Sequence, residues 1–170
     1  MDRQSHQLDS GLPVQQVGVV PFRIVQQQIQ FCLITGRRSG RWRYPKGHVK
    51  PYETPQDAAI AEALEEAGIR GELGNAPLKT LHFVKGGRPY SLTMYLMHVE
   101  AIRLKWKESK ERFRIWASVE NALELIDCPD LKQLALDATA HIDESNVGID
   151  IFPLVKRSLN TPIWTAKTKP

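Results

Sequence analysis

Seven positions between residues 47 and 69 constrain this chain more than any others: Gly47, Glu53, Glu62, Glu65, Glu66, Gly68 and Ile69. Thr54 is a good helix N-cap, Pro55 suits the first helical position, and Asp57 gives a capping-box-like spacing. The alanines that follow favour helix, and Gly68 is a natural stop. The spacing therefore predicts a helix over residues 55–67. On that helix Glu62, Glu65 and Glu66 stand at i, i+3 and i+4 and share one face. Like charges so placed repel, so something cationic is expected to compensate, and Glu66→Gln is expected to relieve repulsion. A hard divalent cation takes carboxylate oxygens and keeps waters and phosphate oxygens as its other ligands. The stretch reads as a metal seat beside a phosphate site.

A length of 170 residues fits one domain with a real core. An apolar content of 42% and a charged content of 25% are ordinary for a globular protein. The net charge of +4 favours anionic partners without naming one. The polar start, MDRQSHQLDSG, lacks the apolar core of a signal peptide, and no apolar run approaches a membrane span. Cys32 and Cys128 stand far apart without a metal-binding pattern and read as reduced core thiols of a soluble, cytoplasmic protein.

The apolar runs 17–25 and 29–35 suggest a hairpin, followed by a glycine- and arginine-rich loop. After the helix, 78–84 and 90–99 read as antiparallel strands joined at Lys85-Gly86-Gly87-Arg88-Pro89. Residues 112–117 read as another strand, Ser118 caps a helix to about Ile126, and Pro129 opens one to about Ile142. Residues 149–152 suit a short strand, and the last ten look disordered. The expected organisation is a flexible segment at 1–14, a domain at 15–143, and a C-terminal extension at 144–170 that is partly disordered or packed on the domain. Strands interleaved with helices imply a mixed, layered α+β fold.

The stretch from Gly47 to Ile69 resembles the Nudix box, the signature of the Nudix hydrolase superfamily. All seven residues fall at the pattern's spacing, while Ala61 stands where the family has arginine. The resemblance is strongest over residues 41–69 and extends over roughly 15–142. It implies an α/β/α sandwich with a mixed sheet and the catalytic loop and helix at the sheet edge. It also implies a pyrophosphohydrolase that uses Mg²⁺ or Mn²⁺ to cleave a phosphoanhydride bond in a nucleoside-diphosphate-linked or polyphosphorylated small molecule. On this resemblance Glu62, Glu65, Glu66 and the Gly47 carbonyl hold the metal, Glu65 is the candidate general base, and Glu53 orients the helix carboxylates or waters.

The family uses its arginine to hold box glutamates, so Ala61 favours a second reading, a Nudix-fold binding or regulatory domain that has lost turnover. Retention of all four glutamates favours the enzyme. Arg37, Arg38, Arg41, Arg43, Lys46 and Lys50 crowd the approach to the box. Cations there suit several phosphates, with Arg41, Arg43, Lys46, His48 and Lys50 as substrate contacts. The entry Pro45-Lys46-Gly47-His48 resembles branches that act on diadenosine polyphosphates and diphosphoinositol polyphosphates. No helix-turn-helix or stacked-aromatic motif supports nucleic-acid binding, and a monomer or homodimer is expected. Glu108 and Glu111 are candidates for one further acid, although a solvated loop is the simpler reading. Tyr44, Trp42 and Phe83 read as core before base-stacking residues, His82 and His98 read as structural, and Trp106 carries no assignable role.

Overall fold

Apolar residues at consecutive positions, as in Phe31-Cys32-Leu33-Ile34, require a strand covered on both faces. The computed structural model has that arrangement; it describes residues 11–146. The expected strand at 149–152, most of the C-terminal extension and most of the N-terminal segment at 1–14 lie outside the described residues.

Among the described residues seven strands form one mixed sheet: β1 (Val14–Val25), β2 (Gln28–Thr35), β3 (Trp42–Arg43), β4 (Lys46–His48), β5 (Ile69–Lys85), β6 (Arg88–Ile102) and β7 (Arg114–Ser118). The order is β3-β2-β1-β6-β5, with β4 on β1 and β7 on β2. β1 runs parallel to β6, and the other pairs are antiparallel. Side chains alternate strictly between two cores. Val17, Val19, Cys32, Ile34, Met97 and Val99 meet Ala58, Ala59, Ala63 and Ala67 of the box helix on one face. Phe22, Phe31, Leu33, Leu92, Met94 and Leu96 meet α2 (Val119–Leu125) and α3 (Pro129–Asn146) on the other. The α/β/α sandwich implied by the resemblance is the observed architecture.

The sheet is forked where the box begins. β1 and β2 pair only from Phe22↔Phe31 to Val25↔Gln28, at the end of the hairpin. The segment 42–48 enters the gap, with β3 on the far end of β2 and β4 on the start of β1. Pro45, between them, accepts a hydrogen bond from the Val19 amide at 3.1 Å. Gly47 is thereby fixed inside the sheet, directly opposite Val17.

Three expectations change. The segment 42–48 contains short strands and is not all loop. β5 starts at Ile69, well before Leu78, because register shifts near Gly71 and Pro77 absorb residues that read as turn formers. Cys32 is buried, but Cys128 is exposed just before α3 and is not a core thiol; both are free.

Candidate active site

Local chemistry sets the start of the box helix. Thr54 Oγ1 accepts a hydrogen bond from the Asp57 amide at 3.1 Å, and Pro55 opens α1 (Pro55–Glu62). The end departs from the expected single α-helix. From Ala63 to Ala67 the chain makes a π-helical turn, closed by Gly68 at φ 63°. Such turns insert an extra residue and recur at functional sites. Trp106 packs against Gly68 where any side chain would stand, and its Nε1 donates to the Glu66 carbonyl at 3.0 Å. The residue without an assigned role thus caps the box helix.

The three helix carboxylates occupy three environments. Glu66 is buried. Its Oε1 accepts from Arg43 Nη2 at 2.8 Å and from Arg112 Nη2, and its Oε2 accepts from the Lys46 amide at 3.0 Å. Glu65 is partly exposed and pairs with Lys107 at 2.7 Å. Glu62 is half-buried and takes no hydrogen bond or ion pair among the described residues; its carboxylate lies against Gly47, where an added Cβ would overlap it. Desolvation, then the charges of Glu66 and Glu65, push its carboxyl up to about 6.

Glu53 stands apart from this group. Its Oε2 accepts from the Lys50 amide at 3.1 Å and its own amide donates to the Lys50 carbonyl at 3.2 Å, so it closes the loop ahead of the helix. Lys46 and His48 lie two apart on β4, on one face, with Gln16 of β1 opposite His48. The Gln16 amide joins them: Oε1 accepts from Lys46 Nζ at 3.1 Å, and Nε2 lies 3.2 Å from His48 Nε2. If Gln16 donates to His48, the ring's Nδ1–H is left available for a ligand. Burial, then the neighbouring Arg43, lower the Lys46 ammonium to about 8.

Among the predicted substrate contacts, Lys50 is exposed on the box loop, whereas Arg43 is engaged with Glu66. Arg41 is exposed, 3.9 Å from Asp127. Glu108 is not simply solvated, since it pairs with Arg112 at 2.5 Å and with Arg37 at 3.4 Å. Tyr44 is buried, and Phe83 stacks on Tyr90 with ring centroids 5.3 Å apart.

Fold and box together match the NUDIX domain over residues 13–137. The chain belongs to the Nudix family. Diphosphoinositol polyphosphate phosphohydrolase 2 of Mus musculus is 32% identical over 109 residues, 63% of this chain and 59% of that protein. Nudix hydrolase 16, mitochondrial, of Arabidopsis thaliana is 31% identical over 137 residues, 71% of this chain and 76% of that protein. The chain thus spans about 59% of the length of the diphosphoinositol polyphosphate phosphohydrolases first among these relatives. Among solved structures, the C. elegans Ap4A hydrolase has a TM-score of 0.67 at 27% identity, covering 77% of this chain and 99% of that one.

Nudix hydrolases generally use divalent metals. Among the described residues no three of His, Cys, Asp and Glu are already gathered around one point. The donors nevertheless suit a hard cation. They are oxygens only, and Glu62 is a desolvated, unpaired carboxylate beside two other glutamates. Sequence reasoning missed Gln16, Trp106 and Arg112. The one signal available was Ala61, which leaves box carboxylates in need of a cation from elsewhere.

Proposed function

We propose that this protein is a hydrolase dependent on Mg²⁺ or Mn²⁺ that cleaves a phosphoanhydride bond in a small polyphosphorylated molecule, with dinucleoside polyphosphates and diphosphoinositol polyphosphates favoured. The observation that carries it is Glu62, an unpaired half-buried carboxylate lying on Gly47, one strand residue from the ammonium-bearing Lys46. Glu62, Glu65, Glu66 and the Gly47 carbonyl would hold the cation. When bound, such an ion polarises a phosphoryl oxygen and makes water a better nucleophile. Glu65, whose carboxylate pairs among the described residues with the exposed Lys107, is the proposed general base; Glu53 sets the box loop on which Lys50 is presented. Lys46, His48 and Lys50 bind phosphate oxygens, with Arg41 at the rim and Arg43 bridging toward Glu66. The names of the relatives that act on diphosphoinositol polyphosphates and Ap4A support this substrate class.

The test is phosphate release from dinucleoside polyphosphates, diphosphoinositol polyphosphates, nucleotide sugars and nucleoside triphosphates, with Mg²⁺ and with Mn²⁺. Turnover that is confined to the polyphosphates and abolished by chelation is expected. No turnover on any of them would leave the binding-domain reading that Ala61 favours.

Lys46 gives a pH prediction. The ammonium is cationic below about 8 and loses its charge above it, so KM should rise as pH passes that value. Lys46→Met should raise KM most for the longest phosphate chain and flatten this pH dependence. An unchanged KM profile in the variant would remove Lys46 from the phosphate site.

A further inference from the structure

A buried carboxylate without a partner is costly, and Glu66 is the one acid among the buried residues described. The family pattern would place an arginine at position 61, but Ala61 has no charge to offer. Two guanidiniums converge instead from outside the helix, both on Glu66 Oε1.

They are not equivalent. Arg112 lies on the loop between β6 and β7, with its side chain only 2% exposed. Three acceptors lock it: Glu108 Oε2 at 2.5 Å from Nε, the Thr35 carbonyl at 2.8 Å from Nη1, and Glu66 Oε1. Thr35 Oγ1 also accepts from the Phe113 amide at 2.9 Å, which fixes the backbone beside Arg112. Arg43 has a more exposed side chain, and among the described residues its buried Nε has no partner and its guanidinium pairs with Glu66. The same loop and the start of β7 grip the rest of the π turn. Trp106 Nε1 holds the Glu66 carbonyl, and Arg114 Nη1 donates to the Ala67 carbonyl at 2.5 Å. The Arg103 amide donates to the Gly68 carbonyl at 2.8 Å.

We propose that Arg112 replaces the arginine missing at position 61, as a positioning residue that holds Glu66 Oε1 and leaves Oε2 available to the cation. A carboxylate has about four lone-pair positions. Three are used here, two on Oε1 and one on Oε2, so the open position is on the oxygen the arginines do not hold. The proposal rests on the metal-dependent hydrolase reading. It moves the clamp from the helix to the β6–β7 loop, so residues far from the box in sequence control its geometry.

The experiment compares wild type, Ala61→Arg, Arg112→Met, Arg112→Lys and the double variant Ala61→Arg/Arg112→Met. It measures melting temperature, Mn²⁺ affinity by calorimetry, and kcat and KM on the best substrate of the phosphate-release screen. Arg112→Met should weaken Mn²⁺ binding and lower kcat by ~10- to 100-fold, the size of a lost charge-assisted hydrogen bond, with little change in KM. Arg112→Lys should not restore either quantity, because an ammonium cannot reproduce a planar three-point fork. Ala61→Arg alone should change little, and in the Arg112→Met background it should recover a large part of the loss. Arg112→Met with wild-type Mn²⁺ affinity and kcat overturns the proposal. So does a double variant no better than Arg112→Met, in folding where the single variant fails to fold and in metal affinity where it folds. Wild type that binds Mn²⁺ but turns over nothing sinks the hydrolase reading alone, since the affinity comparison still decides the clamp. Wild type that binds no Mn²⁺ overturns both.

Discussion

Gly47→Ala will lower kcat by about 100-fold, the cost of misplacing a reacting group by an ångström, while the melting temperature barely moves. The added Cβ would fall on the Glu62 carboxylate. That carboxylate ends a flexible side chain and has no hydrogen bond to lose, so it gives way and the strand does not. Gly47 is not among the glycines with positive φ, so alanine suits its backbone. The pairing of Gly47 with Val17 is made by main chain and survives. The variant should therefore fold normally, bind Mn²⁺ weakly and turn over slowly. Gly71→Ala is the contrasting control. Its Cβ would overlap the His98 carbonyl, a backbone atom at a register shift in β5, and such overpacking costs ~1–3 kcal/mol or more. That variant should melt early. Normal kcat in a folded Gly47→Ala protein would take Glu62 out of the proposed metal seat.

The difference between these glycines shows what a sequence makes legible. The start of the box helix was readable because capping is local: Thr54, Pro55 and Asp57 settle it among themselves. The sandwich was expected through the resemblance carried by the box, and apolar runs such as Phe31-Cys32-Leu33-Ile34, which leave no face for water, are what its two cores cover. The fork in the sheet was not, because β3 and β4 are too short for a periodicity and depend on where β1 and β2 separate. The first half of β5 was hidden by Gly74, Asn75 and Pro77, which read as a turn but are taken up by a strand with register shifts. The clamp on Glu66 was the least legible part. Arg112 lies 46 residues from Glu66 and Arg43 lies 23 away, each in a segment with several other cations. Charge composition indicated that cations were available, but only the fold selects the two that converge. The same lack of local signal hid Gln16, whose role comes from strand register with His48.

That selection reverses one expectation from the spacing of the glutamates. If the three box carboxylates merely repelled one another, Glu66→Gln would stabilise the metal-free protein. The geometry assigns that response to Glu62 instead. Glu66 neutralises a buried guanidinium, and breaking such a pair costs about 3 kcal/mol, at the lower end of the usual range because Arg112 keeps Glu108. In a chain of this length that is a fall of roughly 6–12 °C in melting temperature. Glu62 has no pairing to lose. Its folded-state carboxyl is raised from 4.5 to about 6, so the protonated form favours folding below 4.5 and that contribution is lost as pH rises through 6. Glu62→Gln should therefore melt higher than wild type above pH 6 in a chelating buffer and match it below 4.5. Both variants should lose metal affinity, so stability separates roles that binding alone would merge. Thermal melts of the two variants in chelator, on either side of that window, make the test. A Glu66→Gln protein as stable as wild type would mean that Arg43 and Arg112 do not hold the site, and a Glu62→Gln protein less stable than wild type above pH 6 would mean that Glu62 is already paired without metal.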